Sequence, residues 1–266
     1  MQNVSNLSWA FAKCKMKDVP LFEALSCQAL SHIALADAQG LANTAWSFAF
    51  VPVCDRPLMN AIASSALLCM NNLLAQHLSN IAWSFARLLV QNAPLMNSIS
   101  SSAVQKLAAF GTQGLVNTVW ADAKLVYVHA PLLEAMSAAA CHRVVHLRTQ
   151  DLANLAWSFA NMGVLDIPLL EAISSASISI ITNFDPQALS ITAWAFAKVN
   201  VCALPLMQSI SAASIRKLGE FQAQSLTNTS WAYAKLGVAD GPLCEALADA
   251  ALSNLSNFTP QQLGNM

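Results

Sequence analysis

Apolar and polar positions recur along this chain in a single phase that never slips. Seven tryptophans (Trp9, Trp46, Trp83, Trp120, Trp157, Trp194 and Trp231) stand 37 residues apart. Around them Leu, Ala and Phe predominate at five before, one before and two after the indole. On a wheel of 100° per residue these three positions form one apolar side, which predicts an amphipathic helix. Its start is written most clearly in Asp185-Pro186-Gln187 and Thr259-Pro260-Gln261, a capping side chain followed by proline in the first turn. Its end falls near Gly163 or Gly237 where those glycines occur. A second helix is predicted from the proline eleven residues past each Trp (Pro20, Pro57, Pro94, Pro131, Pro168, Pro205 and Pro242), with Leu always next. Asp18, Asp55, Asp166 and Asp240 precede it, and Glu23, Glu134, Glu171 and Glu245 suit the positive end of its dipole. Its apolar positions continue to Phe110, Phe184, Phe221 or Phe258.

The chain therefore divides into units 1–37, 38–74, 75–111, 112–148, 149–185, 186–222 and 223–259, with 260–266 beginning an eighth. Neither helix of a unit can bury its apolar side alone, so units must stack. The expected fold class is all-α: an α-solenoid of seven helix-turn-helix repeats forming a right-handed superhelix, one array that is a fragment of a longer one.

Composition changes this picture little. Of 266 residues 56% are hydrophobic and 10% charged, and the mean hydropathy of +0.47 raises the question of a membrane. A span needs about 18 consecutive apolar residues, and the richest stretch, Leu58 to Leu74, is interrupted by Asn60, Ser64, Ser65, Asn71 and Asn72. It reads as a buried helix. The first residues resemble neither a secretory signal nor an Arg-rich transit peptide. Seven cysteines (14, 27, 54, 69, 141, 202, 244) lie without a Cys-x-x-Cys pair. They read as small buried hydrophobes in a reducing compartment, with no metal and no disulfide framework.

The polar side of the first helix carries the candidate chemistry. Gln at seven before the Trp, Asn at three before and a cation at four after fall within about 40° on the wheel. Five of the thirteen Lys and Arg occupy that last position: Lys13, Arg87, Lys124, Lys198 and Lys235, with Phe50 and Asn161 the exceptions. A row of cations suits a polyanion backbone and makes these the expected phosphate contacts; the alternative is dipole complementation at a helix end. The Asn row (Asn6, Asn43, Asn80, Asn117, Asn154, Asn228, then Asn265) is broken only by Ile191. It is either RNA-contacting or structural, since base reading requires variation between repeats. The Gln row is expected in helix-start hydrogen bonds and the Trp row in packing, with base stacking as its alternative. Two variable positions are weaker candidates for reading sequence: Asn3, Gly40, His77, Gly114, Asp151, Ala188 and Ser225, and the Ala or Ser directly after each Trp.

Catalysis finds no foothold. There is no Gly-rich phosphate loop, no Gly-x-Ser-x-Gly and no His-Glu-x-x-His. His142 and His146 share helical spacing without an acidic partner between them and read as a surface pair. No cofactor and no small-molecule substrate is expected.

Leu-Ala-Asn-Leu-Ala-Trp-Ser-Phe-Ala (152–160) and Pro-Leu-Leu-Glu-Ala-Ile-Ser (168–174) resemble the heptatricopeptide and octotricopeptide repeats of organellar RNA-binding proteins. Such repeats are often associated with RAP domains, and similar arrays occur in FAST-kinase-like proteins and in RNA-editing substrate-binding complexes. The resemblance covers essentially the whole chain, and the 37-residue period fits the heptatricopeptide type. It implies single-stranded RNA held by the first helices, protein partners in an RNA-processing complex, and a mitochondrial or plastid location. The hallmark Pro-Pro-Pro-Glu-Trp is missing, so that class's base-reading positions are not carried over. The competing expectation is a protein-interaction scaffold of the two-helix type.

Overall fold

The computed structural model describes residues 1–253 and 255–264; Asn265 lies outside the described residues. They form fifteen α-helices in sequential pairs. In chain order these are α1 (Gln2–Lys13), α2 (Val19–His32), α3 (Ala38–Phe50), α4 (Arg56–Leu68), α5 (Ala75–Arg87), α6 (Ala93–Gln105), α7 (Thr112–Leu125), α8 (Ala130–Arg143), α9 (Thr149–Asn161), α10 (Ile167–Ser179), α11 (Pro186–Lys198), α12 (Leu204–Lys217), α13 (Ala223–Leu236), α14 (Gly241–Ser253) and α15 (Pro260–Gly264). The helices fall into two compact units, Met1–Ala139 and Ala140–Met266. Within each, every first helix of a repeat packs along its length on the first helix of the next, and its own second helix lies on the outside. The stretch from Leu58 divides between α4 and a 3-10 turn, and no helix of the described residues is long and apolar enough to cross a membrane.

Capping explains the phase. Asp18, Asp55, Asp166 and Asp240 each accept the backbone N–H three residues on, at 2.9–3.0 Å, and so start the second helices. Asp185 does the same for α11 and Asp37 for α3, each at 2.7 Å. First helices end in a left-handed residue: Leu89, Val126 and Asn200 have φ of 55°, 57° and 59°, and Gly163 and Gly237 70° and 64°. The following N–H then reaches back five residues, as Val164 does to the Phe159 carbonyl at 2.9 Å, closing a Schellman turn. The second helices end sooner than their apolar pattern. A 3-10 turn such as Ile181–Asn183 follows, and the next residue (Leu73, Phe110, Leu147, Phe184 or Phe221) plunges into the core. Lys106 and Lys217, at matching places in their repeats, donate to the previous repeat's turn: Lys106 Nζ to the Leu73 carbonyl at 2.6 Å and Lys217 Nζ to that of Phe184 at 2.6 Å.

The core is made by the expected positions. Leu41, Ala45 and Phe48 are buried, as are Leu78, Ala82 and Phe85 in unit one, and Leu152, Ala156 and Phe159 in unit two. Each such Leu or Phe contributes roughly 1.5–3 kcal/mol by leaving water. Ala, Ser and Thr fill the remaining contacts, which lets first helices approach closely. Ser47, Ser84 and Ser158 satisfy their hydroxyls on the carbonyls of Asn43, Asn80 and Asn154, all at 2.6 Å.

Four expectations need correction here. The cysteines are not buried: Cys14, Cys27, Cys54, Cys202 and Cys244 are exposed and Cys69 and Cys141 half-buried. The Ala-or-Ser position after the Trp lies inside the stack from α3 onward, where a neighbouring helix and not solvent faces it. The other variable position is mostly internal too. His77 Nδ1 accepts the Leu74 N–H, and Asp151 pairs with Arg148 Nε at 2.9 Å, so its variation serves helix starts. His142 and His146 do not share an α-helix, because α8 gives way to a 3-10 turn at Val144.

Candidate nucleic-acid interface

Because first helices are covered by the neighbouring first helices and by their own second helices, little of them meets solvent. In α5 only Gln76 and Arg87 are exposed, with His77, Asn80 and Trp83 half-buried. In α11 only Gln187 and Lys198 are exposed, beside half-buried Pro186, Ile191 and Trp194. In α7 the exposed pair is Gln113 and Lys124, and in α3 and α9 it is Gln39 and Gln150 alone. Packing thus reduces each first helix to one edge, and that edge carries the Gln, Asn, Trp and cation rows together.

Every sequence-expected cation lies on it and is exposed: Lys13, Arg87 and Lys124 in the first unit, Lys198 and Lys235 in the second. All five sit in the last turn of their helices, where the carbonyl end of the dipole also favours them. Asn43, Asn80, Asn117, Asn154 and Asn228 are half-buried and Asn6 is exposed. Their side chains line the edge; Asn228 Oδ1 accepts from Gln224 Nε2 at 2.7 Å. The Gln side chains do not cap helices. They are exposed, and the Asp side chains and His77 named above, together with Thr259, do that work.

The tryptophans lie further out than the packing expectation placed them. The indoles from Trp46 to Trp231 are half-buried and Trp9 is 43% exposed, so the row is an outer edge resting on the core and not its filling. The signal was present: on the wheel the Trp lies about 20° from the Gln and 40° from the cation. Lys13 Nζ stands between two indoles, 5.5 Å from the Trp9 ring and 5.2 Å from that of Trp46. Lys198 Nζ is 5.9 Å from the Trp194 ring. These are cation–π distances. Where the second repeat substitutes Phe50 for the cation, Trp46 stacks on it at 4.8 Å.

Two clefts open on the edge. In the first unit Lys15, Lys17, Arg87, Trp83, Phe50 and Val51 are among the residues lining one of about 350 Å³. Lys15 and Lys17 come from the turn after α1, which the one-position reading of the cations did not include. In the second unit Trp194, Lys198, Thr227, Asn228 and Trp231 line one of about 220 Å³. Each combines a flat apolar surface with positive charge, the pairing that an unpaired nucleotide requires.

A family model described as RNA-editing substrate-binding complex 6 protein matches residues 1–166 and 90–266, together the whole chain. No individual curated protein matches it.

Proposed function

From the premise that this chain belongs to the RNA-editing substrate-binding complex 6 protein family, we propose that it binds single-stranded RNA along the exposed edges of its first helices. The family is one of non-catalytic subunits of a mitochondrial RNA-editing complex, so of the two organelles the resemblance implied, the mitochondrion is selected. The observation that carries the proposal is the edge itself: on α5, α7 and α11 the only fully exposed residues are a glutamine and a cation, with a half-exposed indole between them. Lys13, Arg87, Lys124, Lys198 and Lys235 contact phosphate, and the indoles offer flat surfaces to bases. The near-constant Asn and Gln contact sugar, phosphate or base edges common to many sequences, which makes the edge tolerant of sequence.

Five single-strand phosphate contacts give a log–log salt slope of about −3.5. Changing all five cations to Gln flattens that slope toward zero in a gel-shift series with a single-stranded oligonucleotide. Undiminished affinity in that variant removes the edge as the RNA site.

A second reading rests on a different surface. Leu89, Val126 and Val128 in the first unit, and Leu165, Ile167 and Leu204 in the second, are exposed along the turns between paired helices. Apolar side chains there suit protein partners within the complex. Replacing Leu165, Ile167 and Leu204 by Ser lowers recovery of such a partner from nuclease-treated extract, while RNA affinity stays as in the parent chain.

A further inference from the structure

We infer that the cleft between α11 and α13 is a nucleobase slot with a built-in preference for bases that carry an exocyclic carbonyl over adenine; this rests on the RNA-binding reading above. Trp194 and Trp231 have ring centroids 6.3 Å apart and planes inclined by 32°. A planar base stacked on both faces needs about 6.8 Å, twice the ~3.4 Å base-step spacing. The indoles are therefore about half an ångström and a modest rotation from a fitted slot. Both are half-exposed, so their motion disturbs no core. Lys198, now 5.9 Å from the Trp194 ring, lies at the slot's side, within reach of the phosphate of the same nucleotide.

The polar wall of the slot is oriented by an amide relay whose sense is fixed at one end. The backbone N–H of Thr259 can only donate, and it donates to Gln262 Oε1 at 2.8 Å. The other end of that amide, Gln262 Nε2, donates to Gln224 Oε1 at 2.9 Å. Gln224 Nε2 in turn donates to Asn228 Oδ1 at 2.7 Å. Asn228 thus has its oxygen engaged and its NH₂ left to face a ligand. An asparagine reads adenine by accepting from the amino group while donating to a ring nitrogen. With one of its two Oδ1 lone pairs already taken by Gln224, that two-point contact with adenine is weakened, whereas donation from Nδ2 to O4 of uracil or another exocyclic carbonyl is left free. Gln262 touches no base in this scheme and acts as a positioning residue for Asn228.

The test uses the 266-residue chain, fluorescently labelled nonamers of uridine and of adenosine, and anisotropy titrations at several salt concentrations. Trp231→Leu and Trp194→Leu each weaken oligo(U) binding roughly tenfold or more, since each removes a stacking face, with the salt slope unchanged. Trp231→Phe keeps a ring and retains most of the affinity, which separates stacking from misfolding. Gln262→Ala frees Asn228 to turn over, so the uridine-to-adenosine affinity ratio narrows while oligo(U) affinity changes little. Leucine variants that bind oligo(U) like the parent chain overturn the slot. An unchanged ratio in Gln262→Ala overturns the relay. A parent chain with no salt-dependent RNA affinity, holding a stoichiometric protein partner instead, brings down the RNA-binding reading as well; the slot alone fails when the parent's salt slope is intact and the leucine variants are silent.

Discussion

Urea unfolding of the protein shows a midpoint that falls between pH 5 and pH 8.5, and the fall is largely abolished in Asp122→Asn. Asp122 stands where Phe11, Phe48, Phe85, Phe159 and Phe196 stand in other repeats, two residues past the Trp. It is fully buried in α7, and neither carboxylate oxygen has a hydrogen-bond partner. Burial alone pushes its pKa from 3.8 up to about 8. The sign follows from linkage. Below about pH 4 the group is protonated in both states and costs nothing. From there to about pH 8 the folded chain keeps a proton that the unfolded chain releases, so stability is lost as pH rises; above 8 the loss is complete. Moving a carboxyl from 3.8 to about 8 corresponds to at most roughly 6 kcal/mol. His77, whose pKa burial lowers, works in the opposite direction and is common to both proteins, so it cancels in the comparison. Equal pH slopes in the two proteins would acquit the carboxylate. The physical cause is plain: an ionised, unpaired carboxylate in a place shaped for an aromatic ring has no solvation of any kind.

The second large effect separates two aromatic rows that look equally regular in the sequence. Phe48→Ala costs about 3–5 kcal/mol, the usual range for truncating a buried Phe. The ring is 1% exposed and meets Phe22 edge-to-face at 5.1 Å, so the change opens a cavity and breaks an aromatic contact between the helices of neighbouring repeats. Trp83→Ala, which removes a larger but half-exposed ring, costs less than half as much. Denaturant midpoints of the two variants rank them. A larger loss for Trp83 than for Phe48 would show that the indole row, and not the phenylalanine row, holds the stack together.

Most of the architecture was legible because it is local and repeated. A cap at Asp166 or Asp185, a proline in the first turn and a left-handed residue at Gly163 or Gly237 set helix bounds through contacts within a few residues. The wheel then placed Leu152, Ala156 and Phe159 inward, and Lys198 and Lys235 outward. Repetition multiplied each weak signal sevenfold, which is why Leu58–Leu74 could be kept out of a membrane despite its hydropathy.

What escaped was decided by the neighbours. A size-and-polarity rule sends every Trp inward and every Ser outward. Here Ser47, Ser84 and Ser158 are buried, because first helices pack so closely that only small side chains fit, and each hydroxyl can turn back on its own helix. The indoles, too wide for that contact, are displaced to the rim and become the flat part of the edge. The same pressure buries Asp122 without a partner and brings Lys15 and Lys17 beside Trp83, neither of which a single repeat position encodes. Sequence alone thus determined the repeat, its helices and the side on which charge would gather. Which rings form the core and which face a ligand depended on distances between helices, a property that the 37-residue unit acquires only when it meets its copies.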